Sequence, residues 1–104
     1  MEAFPVENCV RPRVFDANNQ DQIWFLRGCG TNTFGTATFQ ILCETKNKGL
    51  VALEAFPREG MVRPRPPDGN NVDQKWSIGF HYLGSCFTVT VNISLAESKH
   101  INIK

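Results

Sequence analysis

Residues 54–76 read EAFPREGMVRPRPPDGNNVDQKW, and much of this stretch has already occurred once in the chain. At 15 of its 23 positions the same residue stands 52 positions earlier, in residues 2–24, with no gap in the comparison. The match continues at three later pairs of positions: Thr36 and Thr88, Thr38 and Thr90, Ile41 and Ile93. Two units of 52 residues account for the whole chain of 104. The sequence therefore predicts a tandem duplication within a single domain, with repeat 1 over 1–52 and repeat 2 over 53–104.

Both repeats contain a segment in which polar and apolar residues alternate, 36–41 and 88–93. Such alternation, with β-branched and aromatic side chains, is typical of a half-buried strand. We expect the apolar members of the two segments to pack in matching ways: Ala37, Phe39 and Ile41 in repeat 1, and Val89, Val91 and Ile93 in repeat 2.

Three further strands are predicted, over 23–26, 49–53 and 75–80. Residues 7–21 and 59–73 hold Pro, Asn, Asp and Gly, and are predicted to form two matching long loops. No segment shows a convincing helical period. The predicted class is all-β: two tandem 52-residue repeats forming one pseudo-twofold-symmetric β domain.

The formal charge of the chain is +1, from eleven Lys and Arg against ten Asp and Glu. Such a balance gives no electrostatic reason to expect nucleic acid or an anionic membrane surface as a partner. No apolar run approaches the roughly 20 residues that span a bilayer. We therefore expect neither nucleic-acid binding nor membrane insertion.

Four cysteines could form two disulfides, but none of them has a cysteine at the matching position of the other repeat. There is no Cys-x-x-Cys pair, so zinc is not expected. Residues 1–5 lack the basic and then apolar pattern of a signal peptide, which fits a cytosolic protein or a mature secreted form. A secreted protein with one or two disulfides is favoured. A cytosolic protein with free thiols is the alternative.

Neither repeat contains a Gly-x-Ser-x-Gly elbow, a phosphate loop or a His-rich metal motif. His81 and His100 have no histidine counterpart in the other repeat. The duplicated acids fit two equivalent binding sites better than a glycosidase, which needs two carboxyls in different environments across one cleft. We expect a non-enzymatic protein with no catalytic residue, metal or cofactor.

The segment before each Asp-Gln-x-Trp motif is rich in Asp and Asn and allows three interpretations. These side chains could bond their own backbone in turns. They could bind the hydroxyls of a saccharide, with the tryptophan against the ring face. They could also bind calcium, although the later Gly and bidentate Glu of a calcium loop are missing. The candidate residues are Asp16, Asn18, Asn19, Asp21, Gln22 and Trp24, with Asp68, Asn70, Asn71, Asp73, Gln74 and Trp76.

Two other features of the repeats are open to more than one interpretation. Each tryptophan could be a core anchor, a sugar platform or both. The Arg-Pro-Arg segments place two guanidiniums on one side of an extended stretch, where they could grip sulfate or carboxylate groups or pair internally with Glu7 and Glu59. Repeat 2 alone adds Pro66 and Pro67, which could make a polyproline ligand or an inhibitor loop. The arginines concerned are Arg11, Arg13, Arg63 and Arg65.

The stretch from Cys43 through the apolar run 49–53 to Asp73-Gln74-Lys75-Trp76-Ser77-Ile78 resembles the repeat unit of the dermatopontin family. That resemblance implies a non-enzymatic, β-rich extracellular protein that binds matrix components. The sequence departs from the family where Gln22 and Gln74 replace its arginine, and in cysteines that are not duplicated. The Gln-x-Trp endings also resemble the ricin-type lectin repeat, a family that closes a trefoil from three shorter units.

These observations favour a lectin-like protein that binds glycans or glycoproteins at two related sites, in the loops preceding Trp24 and Trp76. The alternative is a protease inhibitor, or an extracellular matrix- or partner-binding protein, that uses the Arg-Pro-Arg loops. Residues 100–104 are predicted to form a strand beside residues 2–6, which would bring the chain ends together. The same strand could be donated to a second molecule, giving a swapped homodimer.

Overall fold

The computed structural model describes residues 1–82, 89–95 and 99–100, with side chains described over 1–77. This part of the chain contains strands and two short 3-10 turns, Gln20–Gln22 and Val72–Gln74, but no α-helix. The all-β prediction is confirmed. The strands are β1 (Glu2–Phe4), β2 (Cys9–Arg11), β3 (Trp24–Thr31), β4 (Ala37–Thr45), β5 (Gly49–Phe56), β6 (Met61–Arg65), β7 (Trp76–Tyr82), β8 (Val89–Leu95) and β9 (Lys99–His100).

β4 lies at the centre of the larger sheet, which is antiparallel and runs in the order β6-β5-β4-β7-β8-β9. β3 pairs with one edge of β4 over most of its length. The opposite edge of β4 is shared between β5, which pairs at residues 42–45, and β7, which pairs where Phe39 faces Trp76. β1 and β2 form a separate two-stranded hairpin. β4 therefore joins strands of both predicted repeats.

The two segments predicted as long loops each contain a strand, so that prediction was wrong in part. β2 and β6 lie inside 7–21 and 59–73 and pair with the strand that precedes them. β6 includes Pro64, which donates no backbone hydrogen bond. It is tolerated because β6 is the outermost strand at its end of the sheet, and one edge of such a strand needs no partner.

The β1–β2 and β5–β6 hairpins have the same register at positions 52 apart. Ala3 faces Val10 in the first, and Ala55 faces Val62 in the second. The turns also match, since Asn8 and Gly60 occupy equivalent positions with φ of 58° and 65°. That left-handed conformation favours glycine and is tolerated by asparagine, which explains the exchange of one for the other.

The core is assembled around β4 and β5. Trp76, Ile41, Leu53 and Ala55 form one buried cluster, and Ala3, Cys43 and Val51 form a second, with Trp24 packed against both. The first cluster joins Ile41 of predicted repeat 1 to residues of predicted repeat 2, whereas the second lies within repeat 1, so the core is only partly shared between the two.

The alternating segment of repeat 1 is a strand, but its polar face is the buried one. Thr38 and Gln40 are 2% and 1% exposed, whereas Ala37 is exposed and Phe39 only partly buried. Gln40 can be buried because its amide bonds Arg27 and Gln74. Of the apolar members of this segment, Ala37 is exposed, Phe39 is partly buried and Ile41 is buried, so the half-buried pattern expected of the strand is observed only in part.

Two predictions fall wholly or partly on residues that the structure leaves out. The packing of Val89, Val91 and Ile93 concerns side chains outside the described residues. For the terminal strand, β9 is described and pairs with β8, where His100 faces Ser94. Residues 101–104 lie outside the described residues, so their place beside residues 2–6 stays a prediction.

Candidate binding clefts

The Asp and Asn side chains before each tryptophan hold the local backbone. Oδ1 of Asp16 accepts from the backbone N–H of Asn18 at 2.9 Å, and Oδ1 of Asn19 accepts from that of Asp21 at 3.0 Å. The second bond caps the 3-10 turn that begins at Gln20. These bonds are the turn chemistry considered among the three interpretations.

The same two bonds occur 52 residues later. Asp68 accepts from the N–H of Asn70, and Asn71 from that of Asp73, both at 2.9 Å. Asn71 thereby caps the turn Val72–Gln74 as Asn19 caps the first one. The oxygens expected to bind a ligand in both loops are thus partly used by the backbone.

Gln22 and Gln74 tie each loop to the hairpin beside it. Oε1 of Gln74 accepts from the N–H of Asp68 at 2.9 Å, while its Nε2 donates to Glu54 and to the Pro66 carbonyl, both at 2.9 Å. Gln74 is 1% exposed and also accepts from Nε2 of Gln40. Its amide is fully bonded within the protein, which leaves it no role in contacting a ligand.

Gln22 makes the equivalent bonds in repeat 1. Its Oε1 accepts from the N–H of Asp16 at 2.7 Å, and its Nε2 donates to Glu2 and to the Val14 carbonyl, both at 3.0 Å. Gln22 is only partly buried. The glutamine of the Asp-Gln-x-Trp motif is therefore the residue that fastens loop to strand in both repeats.

The two tryptophans are anchored alike but buried to different degrees. The indole N–H of Trp76 donates to the Leu53 carbonyl at 2.9 Å, and that of Trp24 to the Met1 carbonyl at 3.1 Å. Trp76 is 0% exposed, so no face of its ring is open to a sugar. Trp76 is a core anchor in this structure, while Trp24 is partly buried at the edge of the core.

The first arginine of each Arg-Pro-Arg segment is paired internally. Arg11 bonds Glu7 at 2.7 Å, and Arg63 bonds Glu59 at 2.9 Å and the Asn8 carbonyl at 2.9 Å. The bond to Asn8 crosses from one hairpin to the other.

The second arginine of each segment, Arg13 or Arg65, is exposed. Arg13 lies 5.1 Å from the ring centroid of Phe4, which Arg11 also covers at 4.8 Å. Arg11 is exposed as well but is paired with Glu7, so Arg13 and Arg65 are the exposed arginines of these segments that make no ion pair among the described residues.

Two clefts open at equivalent places on the two hairpins. The first has a volume of about 290 Å³ and is lined by residues 2–7, Asp21 and Asn47. The second has a volume of about 400 Å³ and is lined by residues 54–59 and Asp73. Every lining position of the second cleft stands 52 residues after a lining position of the first. Of the sixteen predicted ligand-binding residues, the clefts bring in only Asp21 and Asp73.

The hairpin residues of the clefts were missed by sequence reasoning. The available signal was the identity of Glu2, Ala3, Phe4 and Pro5 with residues 54–57, together with the shared acid at Glu7 and Glu59. That identity indicates a repeat but does not by itself indicate a cleft.

Carboxylates line both clefts beside apolar surface, and those of Glu54 and Glu59 in the second cleft and all three in the first are held by bonds within the protein. In the first cleft Glu7 is bonded to Arg11, Glu2 to Gln22, and Oδ1 of Asp21 to the backbone N–H of Lys46 at 3.0 Å. One oxygen of each carboxylate makes these bonds. The other has no bond within the described part of the chain and can accept one from a ligand.

Comparison with protein-family models, with curated proteins and with solved structures finds no match to this chain. The resemblances to dermatopontin and to the ricin-type repeat therefore stay predictions. Among the described residues, no group of three or more His, Cys, Asp or Glu side chains is arranged to hold a metal ion. No helix in the described ranges is long and apolar enough to cross a membrane.

Cys9, Cys29 and Cys43 are free thiols in this structure, so the expected disulfides are not formed among these three. Cys86 lies outside the described residues. Cys43 is 0% exposed, and burial, with the nearby charges of Asp21 and Glu44, raises its pKa to about 11. The thiol therefore stays protonated at pH 8 and is a poor nucleophile.

We expect Cys43 to resist alkylation at pH 8 while Cys9 and Cys29, which are partly exposed, are modified. The measurement is labelling of the folded protein with iodoacetamide, followed by peptide mass spectrometry. Labelling in denaturant serves as the control, because Cys43 should then react like the others. Equal labelling of all three thiols in the folded protein would contradict the burial of Cys43.

Proposed function

We propose that this chain is a non-enzymatic, carbohydrate-binding, lectin-like protein with two related sites. The observation that carries the proposal is the pair of clefts whose lining residues correspond position by position. Each cleft takes one acid, Asp21 or Asp73, from the loop that precedes a tryptophan. The hairpin supplies the remaining residues, apart from Asn47 of the first cleft, which lies between β4 and β5.

The composition of the clefts suits a saccharide. A sugar presents hydroxyl groups that donate to carboxylates, next to C–H surface that packs on apolar side chains. In the first cleft Glu2, Glu7 and Asp21 supply acceptors, while Phe4 and Pro5 supply apolar surface. The volumes of about 290 and 400 Å³ are at the lower end of the range typical of small-ligand sites.

We also propose that the two halves are related by a pseudo-twofold axis. The recurrence of equivalent bonds supports this, since Gln22 and Gln74 each fasten a loop to a glutamate 20 residues earlier. The registers of the two hairpins support it as well. Such symmetry would give the two clefts the same orientation relative to their hairpins.

The second candidate function is a protease inhibitor, or a matrix- or partner-binding protein, that acts through the Arg-Pro-Arg segments. The exposure of Arg13 and Arg65 favours it. However, Arg11 and Arg63 are engaged in internal bonds, and in repeat 2 the segment belongs to strand β6. We therefore rank it second.

The partners that we propose for this lectin-like protein are glycans or glycoproteins. We also propose that the protein is extracellular and that it can form a homodimer.

A glycan array and a trypsin-family inhibition assay on the same sample separate the two functions. We expect binding on the array and no inhibition. Asp21→Asn and Asp73→Asn should each weaken saccharide binding at one cleft by about tenfold or more, because each removes a charged acceptor worth about 1.5–3 kcal/mol. In Asp21→Asn the asparagine keeps the oxygen that bonds the N–H of Lys46, and Asp73→Asn keeps the backbone N–H that bonds Asn71, so both variants should fold.

Glu44→Gln is the matched control, since Glu44 is an exposed acid that lines neither cleft. It should bind like the unaltered protein. Inhibition of a protease without array binding would replace the proposed function by the alternative. A negative result in both assays would overturn both.

A further inference from the structure

The two clefts differ in charge at one lining position. Six of the seven positions that line the second cleft carry the same residue as the first. The exception is Arg58, which stands where the first cleft has Val6. Among the lining positions that the two clefts share, Val6 and Arg58 are therefore the residues that can make their ligands differ.

Arg58 is an exposed guanidinium with no hydrogen bond or ion pair within the described part of the chain. The nearest acid in sequence, Glu59, is already paired with Arg63 at 2.9 Å. Glu54 accepts from the amides of Asn71 and Gln74 at 3.0 and 2.9 Å. Arg58 therefore lies in the lining of the cleft with its donors unused.

Position 6 has the opposite chemistry. Val6 is 68% exposed, so it places an apolar surface at the rim of the first cleft. Both residues lie in the turn that joins the strands of their hairpin, where the side chain is free of packing. Exchange of one for the other should leave the fold intact.

We propose that Arg58 directs the second cleft toward saccharides that carry an anionic group, a carboxylate or a sulfate, while the first cleft takes neutral saccharides. A guanidinium binds either oxyanion through two parallel hydrogen bonds, which valine cannot supply. The anionic group binds at the rim beside Arg58, and the neutral hydroxyls face the carboxylates. This inference rests on the proposed lectin function and names the ligand class of one of its two sites.

The test measures binding of three matched oligosaccharides: neutral oligogalactose, oligogalacturonic acid and sulfated oligogalactose. The proteins are the unaltered chain, Arg58→Val, Val6→Arg and Arg58→Lys. Arg58→Val should lose about tenfold or more in affinity for the acidic ligands and keep its affinity for the neutral one. Val6→Arg should add a second site for acidic ligands. The affinity of Arg58→Lys for the acidic ligands should lie between those of the unaltered chain and Arg58→Val. Lysine keeps the positive charge but lacks the two parallel N–H donors of the guanidinium.

The two acidic ligands distinguish carboxylate from sulfate as the preferred group, and a preference for either supports the inference. Unchanged binding of both acidic ligands by Arg58→Val would overturn it, while binding of the neutral ligand would leave the proposed function standing. Failure of all three ligands and of every saccharide on the array would overturn the proposed function itself.

Discussion

Replacement of Trp76 by alanine is expected to lower the free energy of unfolding by about 3–5 kcal/mol. Trp76 is 0% exposed and packs in a cluster with Ile41, Leu53 and Ala55. The substitution removes the largest fully buried side chain described and leaves a cavity that the surrounding strands cannot fill. It also leaves the Leu53 carbonyl without its indole partner.

Trp24→Ala is the matched control, because Trp24 occupies the same motif and bonds the equivalent Met1 carbonyl. It is only partly buried, so its loss should be clearly smaller. Urea denaturation followed by circular dichroism measures both variants, and the tryptophan that remains gives a second signal. Equal losses in the two variants, or a fully stable Trp76→Ala, would contradict the assignment of Trp76 as the core anchor.

Gln74→Ala should produce the second large effect, a loss of about 3 kcal/mol or more, because several buried groups lose their partners at once. The amide of Gln74 accepts from the Asp68 N–H and from Gln40, and donates to Glu54 and to the Pro66 carbonyl. The loop before Trp76 should therefore be held to strand β5 more weakly in this variant, in which the bond from Asn71 to Glu54 remains. Faster hydrogen exchange at the amides of residues 68–74 would report the loosening directly.

Gln22→Ala provides the comparison within the same molecule. Gln22 makes three of the same four bonds but is only partly buried, so water can replace some of them. Its loss should be smaller than that of Gln74→Ala. Equal losses of unfolding free energy in the two variants would contradict the claim that burial makes the bonds of Gln74 contribute more to stability than those of Gln22.

Gln74→Glu tests the donor role of the amide at almost constant shape. The introduced carboxylate cannot donate to Glu54 and repels it, so the variant should be destabilised at pH 7. The loss should shrink as the pH falls toward 5, because protonation of the introduced group removes its charge and restores one donor. A variant as stable as the original at pH 7 would contradict the assigned orientation of the Gln74 amide.

The all-β class could be predicted from the sequence because alternation and turn residues are local signals. Which strands pair with each other depends on residues far apart in the chain, and local signals do not show it. Pro64 argued against a central strand, and the sequence did not show that its segment forms the outermost strand, β6, which has a free edge. The alternation over 36–41 located a strand but did not show which of its side chains are buried, because Thr38 and Gln40 are buried with bonds to residues of other strands and turns.

The candidate site was predicted in part for the same reason. The residues of the second Asp-Gln-x-Trp motif have different structural roles. Asp73 lines a cleft, Gln74 bonds the loop to Glu54, and Trp76 is buried in the core. Sequence spacing cannot separate these roles, since they depend on which hairpin packs against the loop. The hairpin residues of the clefts stand 14 or more positions before the acid that completes them.

The most direct test of the two-site account is an NMR titration of the full chain with two saccharides, the neutral one and the acidic one that bind best on the array. Amide shifts should change in two separate groups, residues 2–7 with Asp21 and residues 54–59 with Asp73. Asp21→Asn should weaken the changes in the first group and leave those in the second. Changes confined to other parts of the chain, or none at saturating saccharide, would contradict the account.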